Sequence, residues 1–308
     1  NPVRYKISCL VGEDSKEVLF NCPYIDELLV YDFKDRNRGL HGLWRLATSL
    51  RKNNFDIVVD LQNNRRSHII SALSFALHRY GYARKFGFLL NHRIKNDSAV
   101  LDPLAHQFRI LKMLDVELDE PHLELWPSPQ DQLYVDEFLE REWLSARQKL
   151  VGINISASQR WQTKNWPTSY ITRLCEMLAD KNIRVVLTGT EKDSKVAEKL
   201  IDAVRPIKPI NACGRTTVNQ LACLIKRCAV YISSDSAPLH IGVAMGVATI
   251  ALFGPTDPKR HMVFTDNCIL IGKNIACSPC YKSKCQTNIC MKSIKPEEVL
   301  EAIDKLMR

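Results

Sequence analysis

The chain has 308 residues, enough for two domains of ordinary size, and a formal net charge of +9. Its 45% hydrophobic and 25% charged content is that of a globular chain, and no apolar run reaches the roughly 18–20 residues needed to span a bilayer. These features argue against a bilayer-spanning helix, and the basic surplus favours anionic partners.

The basic residues are scattered. Only Arg65-Arg66, Arg84-Lys85 and Lys282–Lys284 cluster, and no basic stripe interleaved with aromatics appears, so no nucleic-acid partner is expected. The chain opens Asn-Pro without a signal peptide. Eleven cysteines, an odd number with several in apolar surroundings, point to a reducing compartment.

The first half alternates short strand-like and helix-like runs. Residues 5–11, 27–31 and 56–61 read as strands from their β-branched and aromatic content. Leu40, Leu43, Trp44, Ala47 and Leu50 recur at helical spacing, residues 67–77 form a second helix candidate, and Phe108, Leu111 and Leu114 mark a third. Such alternation predicts a parallel sheet with helices on its faces. Glu120-Pro121 and Trp126-Pro127-Ser128-Pro129 break the pattern, and residues 131–144 then read as a helix. A domain boundary is expected near Arg147–Lys149, giving domains of 1–148 and 149–308. The second half repeats the alternation, with strands near 150–155, 185–188, 230–233, 248–253 and 268–271, and helices near 169–181, 192–204 and 218–226. Pro296 opens a last helix with Val299, Leu300, Ile303 and Leu306 on one face.

The most informative stretch is S-S-D-S-A-P-L-H-I-G-V-A-M-G-V-A-T-I-A-L-F-G-P-T-D-P at Ser233–Pro258. It reads as strand, tight turn, small-residue helix, strand and second turn. Open α/β sheets bind ligands at the carboxyl ends of their strands, where helix N-termini offer N–H groups and a positive dipole end to phosphate. Asp235, Ser236, Ala237 and His240 fall at the first turn and Thr256 at the second. Asp235 and Ser236 also suit helix capping, and His240 suits a structural role as well as a site role. Ser156 and Ser158 follow another strand. Lys164, just before Trp166-Pro167, could neutralise a diphosphate as a point charge. Glu191 ends a further strand and could take a ribose hydroxyl, or simply sit in the first turn of a helix. The segment C-S-P-C-Y-K-S-K-C-Q-T-N-I-C places Cys277, Cys280, Cys285 and Cys290 in fourteen residues. A tetrahedral structural zinc is one reading; free thiols, one labile disulfide or an iron–sulfur cluster are others.

Together these residues resemble glycosyltransferase family 9, the ADP-heptose-using heptosyltransferases of lipopolysaccharide core synthesis. The resemblance rests on K-N-W-P at Lys164–Pro167, D-S-A-P-L-H at Asp235–His240 and F-G-P-T-D-P at Phe253–Pro258. It extends to D-I-V-V-D-L-Q-N-N-R-R-S at Asp56–Ser67, to H-Q-F-R-I-L-K-M-L at His106–Leu114, and to C-S-P-C-Y-K. It implies an α/β GT-B architecture: two Rossmann-like domains with parallel sheets facing across a cleft. The first would hold the acceptor glycolipid and the second the nucleotide sugar, with helix 296–308 returning to the first domain. Lys164 and the turn at Asp235–Ala237 would hold the diphosphate, with Thr256 beside the second turn.

The resemblance further implies inverting heptose transfer from ADP-heptose to an anionic inner-core acceptor. No cofactor would be required. The location implied is cytoplasmic, in peripheral contact with the inner membrane. The family's first strand and its Gly-Asp loop, which carries the proposed general base, have no counterpart here. The base is therefore unassigned and expected upstream of Asn1, with the first strand of the N-terminal domain missing. A glycosyltransferase using another nucleotide sugar and a nucleotide-sugar-binding protein without catalysis stay open as alternatives.

Overall fold

The computed structural model describes residues 5–35, 38–95, 101–117, 122–144 and 148–308. The chain divides into two compact units, Asn1–Pro121 and His122–Arg308. The break expected at Glu120-Pro121, and Arg147 of the expected boundary, lie outside the described residues.

The first unit contains β1 (Ser8–Gly12), α1 (Lys16–Leu19), β2 (Glu27–Tyr31), α2 (Gly39–Lys52), β3 (Ile57–Val59), α3 (Arg65–Leu73), β4 (His78–Tyr82), β5 (His92–Ile94) and α4 (Pro103–Leu111). All its strand pairs are parallel. β1 pairs with β2, and β3, β4 and β5 form a second sheet in that order. Among the described residues β1 has no strand partner but β2, and β3 none but β4. The helical spacing in α2 puts Leu46 and Leu50 on one buried face, where they meet Ile70 of α3 and Leu10 and Leu29 of the first sheet. Asn64 and Ser67 form a capping box that fixes the start of α3.

The second unit contains α5 (Pro129–Arg141), β6 (Leu150–Asn154), α6 (Thr168–Asp180), β7 (Arg184–Thr188), α7 (Ser194–Ala203), β8 (Ile210–Asn211), α8 (Val218–Lys226), β9 (Val230–Ser234), α9 (Ala237–Ala244), β10 (Thr249–Phe253), α10 (Pro258–His261), β11 (Cys268–Gly272), α11 (Ile289–Lys292) and α12 (Pro296–Leu306). Its six strands are parallel, in the order β11-β10-β9-β6-β7-β8. This is the doubly wound order, and the winding reverses between β6 and β9.

Side chains alternate across this sheet. Val151, Ile153, Val185, Leu187, Val230 and Ile232 enter one core with α6, α7 and α12, while Leu150, Val186 and Tyr231 enter the other with α5 and α8. Gly152 leaves room for the Tyr231 ring, because a Cβ there would lie 2.4 Å from Tyr231 Cδ2.

Two expected boundaries change. Residues 122–148, expected with the first domain, belong to the second unit. Helix α5, capped by Ser128 with Asp131, buries Val135, Phe138 and Leu139 beside Ala222 and Ile225 of α8. The last helix, expected to return to the first domain, packs on α6, with Val299, Ala302 and Ile303 in the second unit's core. An amphipathic pattern shows that a helix has a face to bury, and does not say against what.

Candidate functional site

The sheet reversal in the second unit opens a crevice at the carboxyl ends of β6 and β9. Asn154, the last residue of β6, is buried there and bridges the two strands. Its Nδ2 donates to the Ser156 carbonyl at 2.7 Å and to the hydroxyls of Ser233 and Ser236, both at 3.2 Å. The two serine hydroxyls lie 3.1 Å apart, and Ser236 Oγ also donates to the Ser234 carbonyl at 3.2 Å.

Lys164 reaches the same point from the loop after β6. Its Nζ lies 2.7 Å from Asp235 Oδ2 and 3.2 Å from the Asp235 carbonyl. Both side chains are largely shielded from water, at 13% and 8% exposure, so this is a buried ion pair. Thr256 Oγ1 donates to the same Asp235 Oδ2 at 2.7 Å. The Lys164 ammonium also stands 5.0 Å from the Trp161 ring centroid, a cation–π contact. The two turns singled out in the sequence thus meet at one carboxylate.

Capping is not what Asp235 and Ser236 do. Neither side chain bonds the first turn of α9, whose N-cap is Ser236. The Asp235 carboxylate is taken by Lys164 and Thr256, and the Ser236 hydroxyl by Asn154 and the Ser233–Ser234 segment. The start of α9 therefore keeps its positive end without a side-chain cap, next to an ammonium. His240, one turn on, is half-buried. Burial lowers its pKa below the ordinary histidine value, the Asp235 charge opposes this, and the charges of His261 and Lys164 add to the lowering.

Asp235, Lys164 and Thr256 are joined directly, Ser236 and the Ser156 carbonyl meet at Asn154, and Ala237 and His240 follow on α9. Ser158 stands exposed on the same loop. Glu191 is exposed at the end of β7, one strand beyond β6, and has no bond to the cluster.

Among the described residues no group of three or more His, Cys, Asp or Glu side chains is placed to hold a metal ion. Cys277 and Cys285 are exposed, whereas Cys290 is buried, its Sγ 3.0 Å from where a Cβ on Gly254 would lie. The segment works as a strap across the two site loops. The amides of Cys280 and Tyr281 donate to the Pro255 carbonyl at 3.0 and 2.8 Å, and Ser278 Oγ donates to the Gly254 carbonyl. Thr163 Oγ1 donates to the Lys282 carbonyl at 2.7 Å. The loop carrying Lys164 is thereby lashed to the turn carrying Thr256.

Asn154, Ser233, Trp161 and Thr163 complete the site and were not singled out from sequence. A polar Asn closing the buried strand L-V-G-I-N was the one visible signal.

Residues 43–290 match the model of glycosyltransferase family 9 (heptosyltransferase). The chain belongs to glycosyltransferase family 9. This family 9 chain is 29% identical over 163 residues to the lipooligosaccharide heptosyltransferase 2 of Campylobacter jejuni, a stretch covering 51% of each protein. It thus spans about half the length of that relative. In fold it is similar to a family 9 glycosyl transferase from Veillonella parvula, with a TM-score of 0.86 at 23% identity, covering 98% of this chain and 88% of that one. It is also similar to the Escherichia coli ADP-heptose lipopolysaccharide heptosyltransferase II, with a TM-score of 0.78 at 21% identity, covering 98% and 89%. These likenesses establish the α/β, parallel-sheet fold of a GT-B type glycosyltransferase.

Proposed function

We propose that this chain transfers a heptose from ADP-heptose to an anionic acceptor of the lipopolysaccharide inner core, with inversion at the anomeric carbon. The observation that carries the proposal is the convergence of Lys164, Ser236 and the uncapped start of α9 on the β6–β9 crevice. Family membership supplies the reaction class, and the heptosyltransferase relatives supply the sugar.

In this reading the second unit holds the donor. The departing diphosphate gains charge as the glycosidic bond breaks. Lys164 and the positive end of α9 meet that charge where it develops, and both are already fixed before the reaction. Asp235 acts through Lys164: with Thr256 it holds the ammonium in place, so it is a positioning residue. An acceptor hydroxyl attacks from the opposite face, and a carboxylate acting as general base removes its proton. None of the residues gathered in the crevice is assigned that role. The basic surplus suits a phosphorylated, acidic acceptor at the cytoplasmic face of the inner membrane. No helix among the described residues is long and apolar enough to cross a membrane.

The test is transfer by the full-length protein, with ADP-heptose and heptose-deficient lipopolysaccharide. Stoichiometric ADP release with a one-heptose gain in acceptor mass supports the proposal. ADP binding without either product would favour the non-catalytic binding protein.

A further inference from the structure

Two tryptophans flank Lys164 and do different work. Trp166 is buried in the core shared with α6 and α12, and its Nε1 donates to the Ile294 carbonyl at 3.0 Å. Trp161 is half-buried and, among the described residues, joins no hydrophobic core of the second unit. What its ring meets is the Lys164 ammonium, 5.0 Å from the ring centroid. That is inside the roughly 6 Å over which an aromatic face draws a cation.

The loop holds this contact from both sides. Residues 159–164 form a short 3-10 run that kinks at Trp161, where φ is −119° and ψ is 49°. The Trp161 amide donates to the Ser158 carbonyl at 2.8 Å. Asn165 closes the loop: its Oδ1 accepts the Ala157 amide at 2.7 Å, and its own amide donates to the Gln162 carbonyl at 3.1 Å. Thr163, between the ring and the ammonium in sequence, is tied to the cysteine strap through the Lys282 carbonyl.

An ammonium carries three N–H donors. Asp235 takes two of them, one with Oδ2 and one with its carbonyl. Among the described residues the third has no protein acceptor. A hydroxyl or carboxylate in place of the indole would compete for that donor, and a carboxylate would also turn the pair into a net negative group. The aromatic face attracts the cation through its quadrupole and offers no lone pair.

We propose that Trp161 is a positioning residue for the leaving diphosphate. Its ring holds the Lys164 ammonium while leaving the third N–H open to a diphosphate oxygen. This rests on the donor reading above and adds to it a residue that acts through the lysine.

The test is ADP calorimetry on the full chain. The proteins are the wild type, Trp161→Phe, Trp161→Leu, and a series in which residue 161 is replaced site-specifically by mono-, di- and trifluorinated tryptophan. Each fluorine withdraws charge from the ring face and barely alters its size. The expected affinity falls in the order Trp, Phe, Leu, by roughly three- to thirtyfold from first to last, and it falls stepwise along the fluorinated series. Equal affinity along that series, with a loss only in Trp161→Leu, makes the ring a steric wedge and overturns the proposal. So does a Trp161→Leu protein that binds ADP as the wild type does. Both of those results leave the donor reading standing, whereas a wild type that binds no ADP overturns the donor reading and this inference with it.

Discussion

Lys164 and Asp235, from loops after different strands, meet as a largely buried ion pair, Nζ 2.7 Å from Oδ2. Thr256 makes the second short contact to the same carboxylate oxygen. The pair therefore has two separable consequences: it satisfies a buried charge, and it aims an ammonium into the crevice.

Lys164→Ala leaves Asp235 buried without its counter-charge and should destabilise the protein by about 3–5 kcal/mol. Adding Asp235→Asn removes the orphaned charge and should restore much of that stability, while donor binding stays lost. Denaturant unfolding gives the first quantity and ADP calorimetry the second, in one double-mutant cycle. Lys195→Ala, at an exposed position on α7, should change neither. If the double variant regained ADP binding, the lysine would be no more than a structural partner.

His240 gives the site a pH signature. In the folded chain its pKa is lowered, first by burial, while the unfolded chain takes up its proton near the ordinary value of 6.5. As pH falls below that value the unfolded state binds more protons than the folded one, so stability contributed by neutral His240 is lost on acidification. The difference in unfolding midpoint between wild type and His240→Gln should therefore shrink from pH 7.5 to below pH 6. A difference constant with pH would show that the site does not depress this imidazole.

Gly152 should be intolerant for a reason unrelated to chemistry. A Cβ there would meet Tyr231 Cδ2 at 2.4 Å and Cys228 Sγ at 3.0 Å. Gly152→Ala should cost about 1–3 kcal/mol through overpacking, read as a lower denaturation midpoint. Pairing it with Tyr231→Leu should recover part of the loss.

The thiols should react in a fixed order. Hydrogen bonds, first from Thr287 and then from the Asn288 amide, lower the pKa of exposed Cys285. Burial pushes Cys175 and Cys213 up to about 12. Brief alkylation of the native protein at neutral pH, read by peptide mass spectrometry, should mark Cys285 and spare Cys175 and Cys213. Early labelling of Cys175 would contradict the packing of α6 on the sheet.

Much of this was legible in the chain. Strands such as V-Y-I-S-S and T-I-A-L-F are buried on both faces and read as continuous apolar runs, and the small polar turns after them mark the ligand edge. What stayed hidden was long-range. Lys164 and Asp235 are 71 residues apart, and only the reversal of winding at β6 and β9 brings them together. β4, H-R-Y-G-Y, was missed because its charged and glycine positions hide a strand whose last three residues are buried. The cysteine spacing suggested a ligand set, whereas the segment spends its backbone amides and carbonyls lashing two loops, and spacing alone does not distinguish these uses.

The central claim is a diphosphate cradle built on Lys164 and the start of α9, and nucleotide-dependent unfolding tests it most directly. With ADP at about a hundredfold excess over Kd, mass action should add about 2.7 kcal/mol to stability. ADP-heptose should raise the unfolding temperature further and UDP should not. In the Lys164→Ala/Asp235→Asn protein the rise should vanish. A double variant stabilised by ADP as strongly as the wild type, or a wild type that responds to UDP alone, would contradict the account.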